Sequence, residues 1–183
     1  MQIRSLAGAA ILAAFAVAAC DRPLTSAGAP ESAGFSHAAT ADISGYYIPV
    51  EPVLIGKWSL DHVFVGQTAE FDGWEGGARS ETFGPVMIQF DDAASPMVQT
   101  ELGEAHSVTV RVLPSGYAVT DTAVRFEGEA AGLGRVSFDG VLDQGALATS
   151  KRNLGGDGVV LTGNLTAGGR TIRGVRLTWW MGD

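Results

Sequence analysis

The apolar positions of this chain recur mostly with a period of two, the spacing of a strand whose successive side chains face opposite ways. The cleanest run is Val108, Val110 and Val112 against Thr109, Arg111 and Leu113. Similar alternation predicts strands over residues 44–48, 85–90, 117–120, 123–127, 136–142, 159–166 and 171–180. A longer stretch, 54–65, places Leu54, Gly56, Trp58 and Leu60 on one face. Its pattern then shifts to His62 and Phe64 against Val63 and Val65, which suggests a bulge or bend. Turns follow from Pro49–Pro52, Pro114-Ser115-Gly116, Asp121-Thr122 and Gly168-Gly169, each built from residues that favour reversals. Residues 93–105 read as a long polar connection.

Two segments break the period. Gln67 to Gly76 reads as a short helix with Thr68 as cap, Phe71 and Trp74 on one face and Gly76-Gly77 as its stop. A helix this short is marginal alone, so Phe71 and Trp74 must dock on the sheet or plug an opening. The second helix runs from Gln144 to about Asn153, capped by Asp143, with Leu147 and Leu154 on one face and Lys151 and Arg152 near its C-terminal end. Eight or nine short antiparallel strands with two small helices make an all-β fold. The expected form is a closed barrel or strongly curved sheet of about eight strands, because closure removes exposed edges. A two-sheet sandwich is the alternative. Of the 25 glycines, 22 fall in residues 43–183, which fits the many tight turns such a fold needs.

Composition divides the chain. A basic start (Arg4) precedes an uncharged apolar run from Leu6 to Ala19, about 14 residues and below the roughly 20 needed to span a bilayer. The run ends in Val17-Ala18-Ala19-Cys20, with the sole cysteine last. Residues 21–42 are Ala, Ser, Gly, Thr and Pro with few large apolar side chains, so they read as a disordered tether. Phe35 and His37 are taken as incidental to it. Order is expected from Ile43 to Asp183.

Residues 1–20 resemble the signal peptide and lipobox of bacterial lipoproteins. The resemblance implies cleavage after Ala19, a diacylglycerol thioether on Cys20 and acylation of its new amine. It therefore implies a covalent membrane anchor in the cell envelope. Asp21 resembles the inner-membrane retention signal of enterobacterial lipoproteins, which favours the periplasmic side of the inner membrane over the outer one. With a single cysteine no intramolecular disulfide can form, so the domain must rest on an ordinary core.

Charge narrows the partners. The chain carries −8, and every acidic residue lies after Cys20. Such a domain repels phosphate backbones, so nucleic acid is not an expected partner. Catalytic signals are thin. Asp61 and His62 are adjacent in a strand and should face opposite ways. His62, His106 and Glu104 lack the close spacing of a metal site. The pairs Asp91-Asp92 and Glu101/Glu104 read as solvated loop acids. Neither a catalytic residue, a metal ligand nor a cofactor is assigned. The aromatic residues offer more: Trp58, Phe64, Phe71, Trp74 and Phe126 could frame an apolar ligand pocket in a partly open barrel. Gly163-Asn164-Leu165-Thr166-Ala167-Gly168-Gly169 with Gly174-Val175 is similar to a hairpin of the periplasmic polyisoprenoid-binding barrel family, which holds a long lipid in its lumen. The expected function is non-enzymatic binding or scaffolding in the envelope, through another envelope protein. The alternatives are a carrier of a small apolar or lipid ligand and, after it, an enzyme using acidic loop residues.

Overall fold

The computed structural model describes residues 34–101, 103–154 and 158–182. Cys20 and the whole proposed signal peptide lie outside the described residues, as does the tether up to residue 33. The described chain forms thirteen strands and two helices. In order these are β1 (Phe35–His37), β2 (Gly45–Pro49), β3 (Leu54–Ile55), β4 (Trp58–Val65), α1 (Thr68–Glu75), β5 (Val86–Asp92), β6 (Met97–Thr100) and β7 (Gly103–His106). They continue with β8 (Thr109–Val112), β9 (Pro114–Val119), β10 (Ala123–Ala130), β11 (Gly134–Leu142), α2 (Gln144–Arg152), β12 (Val159–Ala167) and β13 (Arg170–Trp180).

One continuous sheet holds nearly all of them, in the order β1-β9-β10-β11-β12-β13-β2-β4-β5-β8, with β3 paired on β4. The expected count of about eight strands is too low. The sheet is strongly curled into a half-barrel. The chain leaves β8 at one end of the order and enters β9 near the other end after the single residue Leu113. That bend forces the two ends of the sheet together, and β8 touches β10. Every neighbouring pair on the path is antiparallel except β1 with β9, which is parallel.

Residues 34–42, expected to belong to the tether, are part of the fold. Phe35 pairs with Tyr117 and His37 with Val119 along β9. Phe35 packs edge-on against Tyr117 at 5.2 Å, and His37 stacks flat on Phe71 at 4.0 Å. The Asp121 carboxylate accepts the backbone N–H groups of Thr40 and Ala41 at 2.7 and 2.8 Å. Two aromatic side chains and one carboxylate outweigh a polar composition here.

α1 lies against β1 and carries Phe71 and Trp74 inward, both buried. Its cap is Gln67 rather than Thr68: the Glu70 carboxylate reaches back to the Gln67 N–H at 2.7 Å, half of a capping box. α2 starts as expected at Asp143, whose side chain accepts from Ala146 N–H at 2.9 Å. Leu147 is buried, but Leu154 is exposed beyond the helix end.

The inner face is filled by Tyr47, Leu60, Val63, Phe90, Tyr117, Phe126, Phe138 and Leu165, among others, all buried. Gly140 and Gly163 stand opposite each other on β11 and β12 because a Cβ at either would come within 2.6 Å of the Phe138 ring. The 54–65 stretch is a tight hairpin rather than one strand. Gly56, at φ +63°, turns the chain between Ile55 and Trp58, which reverses the expected facing and buries Ile55 while Leu54 is exposed. The shift between Leu60 and His62 is present as a register break against β5. Residues 93–105, expected as a plain connection, contain the separate β6–β7 hairpin.

Candidate functional site

The outer face of the sheet carries a row of large side chains that the inner core does not use. Trp180 on β13 stands opposite Tyr46 on β2, Tyr46 opposite Phe64 on β4, and Phe64 opposite Met87 on β5. Alternation dictates this: Tyr47, Val63 and Trp179 point inward, so Tyr46, Phe64 and Trp180 point out. The rings tilt against one another. Tyr46 meets Trp180 at 5.7 Å and 51°, and Phe64 at 5.2 Å and 55°. Phe83, from the loop after α1, adds its edge to Phe64 at 5.4 Å. Trp180, Phe83 and the adjoining Met181 are 40%, 37% and 58% exposed, so this apolar set is open to solvent.

Beside the row lies an open cleft of about 590 Å³, walled by Tyr46, Phe64, Phe83, Glu70, Asp42, Lys151 and Trp179. Its α2 wall is closed by the protein's own charges. Lys151 donates to the Asp42 carboxylate at 2.8 Å and lies 5.3 Å from the Trp179 ring centre. Partial burial pushes the Asp42 carboxyl up, but the Lys151 and Ser44 hydrogen bonds outweigh it and hold the group down at about 2. Trp179 in turn donates its indole N–H to Ser44 C=O at 2.9 Å. That contact passes over Gly45, where a Cβ would lie 2.3 Å from the indole nitrogen.

A second polar group crosses β4, β5 and β8 next to the row. His62 Nδ1 lies 2.6 Å from Asp61 Oδ2, which also accepts from Gln89 Nε2 at 3.1 Å. Arg111 Nε donates to Gln89 Oε1 at 3.1 Å. Asp61 and His62 were expected on opposite faces; the break in register after Leu60 turns both toward one side. Tyr46 packs edge-on against His62 at 4.9 Å, linking this ladder to the aromatic row. Asp91 has its carboxyl raised, by burial first and by Asp61 next. Asp92 faces the other way and pairs with Lys57 at 2.5 Å, which lowers it. The two acids are therefore separate.

No group of three or more metal-ligating side chains converges among the described residues. His106 is 3.3 Å from Ser95 C=O, and Glu104 is exposed on β7. Of the five residues expected to frame a pocket, four belong to one core cluster and Phe64 does not. Trp58, Phe71, Trp74 and Phe126 are buried at 6% exposure or less, inside the core. Phe64 is on the other side of the sheet, in the outer row. Comparison with protein-family models, curated proteins and solved structures gives no match. Tyr46 and Phe83 were missed from the sequence, whereas the Trp180 end was among the surfaces expected to meet a partner. For Tyr46 a signal existed, since Tyr46-Tyr47 in a strand must send one ring to each face.

Proposed function

We propose that this protein is a lipid-anchored lipoprotein of the bacterial cell envelope, held on the periplasmic side through Cys20, and that it acts as a non-enzymatic binding module. The observation that carries the binding role is the outer row Trp180–Tyr46–Phe64. These rings lie outside a core already filled on the opposite face, and aromatic side chains that remain open to solvent supply contact area at small entropic cost. The lipobox resemblance of residues 1–20 supports the anchor. Two or three acyl chains, at about 0.8 kcal/mol per buried CH₂, would hold the protein on the membrane permanently. A partner is then another envelope protein that meets the row. A lipid carrier would need interior room at Trp58, Phe71, Trp74 and Phe126, and these are packed among core side chains. The closed form of the barrel belongs to this proposal too: the meeting of β8 with β10 supports it.

Two measurements test the reading in its native membrane. Cys20→Ser should abolish incorporation of labelled palmitate and release the protein from salt-washed membranes. A photo-crosslinking residue at Met181 should give one discrete adduct with an envelope protein, lost when Tyr46→Ala and Phe64→Ala are combined. Retention of Cys20→Ser on the membrane would overturn the anchor. An adduct indifferent to the aromatic substitutions would overturn the row.

A further inference from the structure

The protein seats its own cations on its aromatic rings repeatedly. Lys57 lies 4.7 Å over Trp58 and is bonded to Asp92. Arg79 lies 4.1 Å over Phe35 and 4.7 Å over Trp74. Lys151 joins Asp42 and Trp179 on one wall of the cleft. Elsewhere the lining of the same cleft holds a carboxylate and aromatic rings with no cation of the chain seated among them. There the Glu70 carboxylate stands with Tyr46, Phe64 and Phe83 around the same open volume. Among the described residues no Lys or Arg pairs with Glu70 and none lies over these three rings.

Glu70 is not idle, since one of its oxygens caps α1 through the Gln67 N–H. Beyond that cap and the N-terminal end of α1, no cationic side chain pairs with it among the described residues, in a chain whose balance is −8. An anionic ligand would be repelled at this wall, and a neutral apolar one would remove water from the carboxylate and leave it only the Gln67 N–H. A cation with apolar substituents satisfies both surfaces, the carboxylate by charge and the ring faces through their quadrupoles. The volume of about 590 Å³ admits an extended amine or a lysine side chain with its flanking backbone.

We propose that this wall of the cleft binds an organic cation of the alkylammonium class, held between Glu70 and the rings of Tyr46, Phe64 and Phe83. The proposal rests on the reading of the outer row as a contact surface, and it gives that surface its chemistry. A lysine of a partner protein and a free polyamine present the same group.

The test uses the purified full chain, with spermidine and a lysine hexapeptide as probes and a glutamate hexapeptide as control. Both heteronuclear NMR and calorimetry should show saturable binding of at least one cationic probe, with shifts centred on Gly66, Glu70 and Phe83. Binding by spermidine identifies a free amine as the ligand source, and binding by the peptide alone identifies a lysine side chain. Glu70→Gln keeps a side-chain cap and removes one charge, and it should weaken binding about threefold or more. Glu129→Gln, on exposed backbone of β10, removes the same charge elsewhere and should leave binding unchanged. Equal weakening by both variants would reduce the effect to bulk charge and overturn the proposal, as would no saturable binding of either probe. If the cationic probes fail while the Met181 crosslink still depends on Tyr46 and Phe64, the cation is wrong and the row stands. If the crosslink is independent of those rings as well, both fail.

Discussion

Tyr46 and Tyr47 are neighbours in β2, and they do opposite work. Tyr47 is fully buried and donates its hydroxyl to Ile43 C=O at 2.6 Å. Burial first, and the nearby Asp42 charge next, push its phenol well above the ordinary range. Tyr46 is half-buried and meets Trp180, Phe64 and His62 at tilted or edge-on angles. One ring is enclosed with its polar atom satisfied. The other keeps part of its surface toward solvent. The same residue type, one position apart, is core on one side of the sheet and partly open to solvent on the other.

The largest expected effect sharpens the inner half of that comparison. Phe126→Ala empties a site 1% exposed and should cost about 3–5 kcal/mol, read as a lower denaturant midpoint at unchanged slope. A loss below about 1 kcal/mol would mean the inner face is not packed as described. Tyr47→Phe keeps the ring but leaves the Ile43 carbonyl without its donor, and should cost about 1 kcal/mol by the same measurement. On the outer face Trp180→Ala should change stability by only about 0.5 kcal/mol, yet it should weaken the Met181 crosslink. If stability fell as far as for Phe126→Ala, the row would be core, and the contrast would be broken.

Acid should act on the carboxylates that the folded chain holds low, Asp92 beside Lys57 among them. Asp42 and Asp121 both have lowered carboxyls, Asp121 first through the Ala41 N–H and then Thr40. A lowered native value gives stability that is complete above the unfolded value of about 4 and lost as pH falls toward the native one. For Asp42 that window runs from about 4 down to about 2. As acid protonates Asp121, the amides of Thr40 and Ala41 should exchange faster while that of Val124, on β10 between β9 and β11, keeps its protection. Uniform loss of protection would show that residues 34–42 are not a separately held segment.

How much of this was readable beforehand follows the range of the interaction. Strand alternation and the Asp143 cap act within a few residues, and β8 to β13 and α2 were legible for that reason. Phe71 and Trp74 were readable as docking residues because a two-turn helix has no other means of support. Residues 34–42 were not, since β1 is held by Tyr117, Phe71 and Asp121, all distant in sequence. The Asp61–His62 contact was hidden by the register break after Leu60, which alternation suggested without showing where each side chain would turn. The split of the pocket set between the core and the outer row was hidden for a related reason. Trp58, Phe71, Trp74 and Phe126 share hydrophobicity with Phe64, but the face each occupies depends on strand pairing that composition does not carry.

The β13–β2 pairing has one more consequence. It joins Thr178 to Ile48, 130 residues apart, so the earliest long strand of the sheet waits for the last one. Contacts of such separation form late in folding, after local hairpins have closed. Tyr46 and Trp180 sit on the two sides of that seam. An unfinished chain, or one clipped at its C-terminal end, could keep most of its hairpins and still present no aromatic row. The row is thereby assembled only where β2 and β13 have paired, and the proposed partner, if it reads Tyr46 together with Trp180, would engage only chains in which those two strands have met.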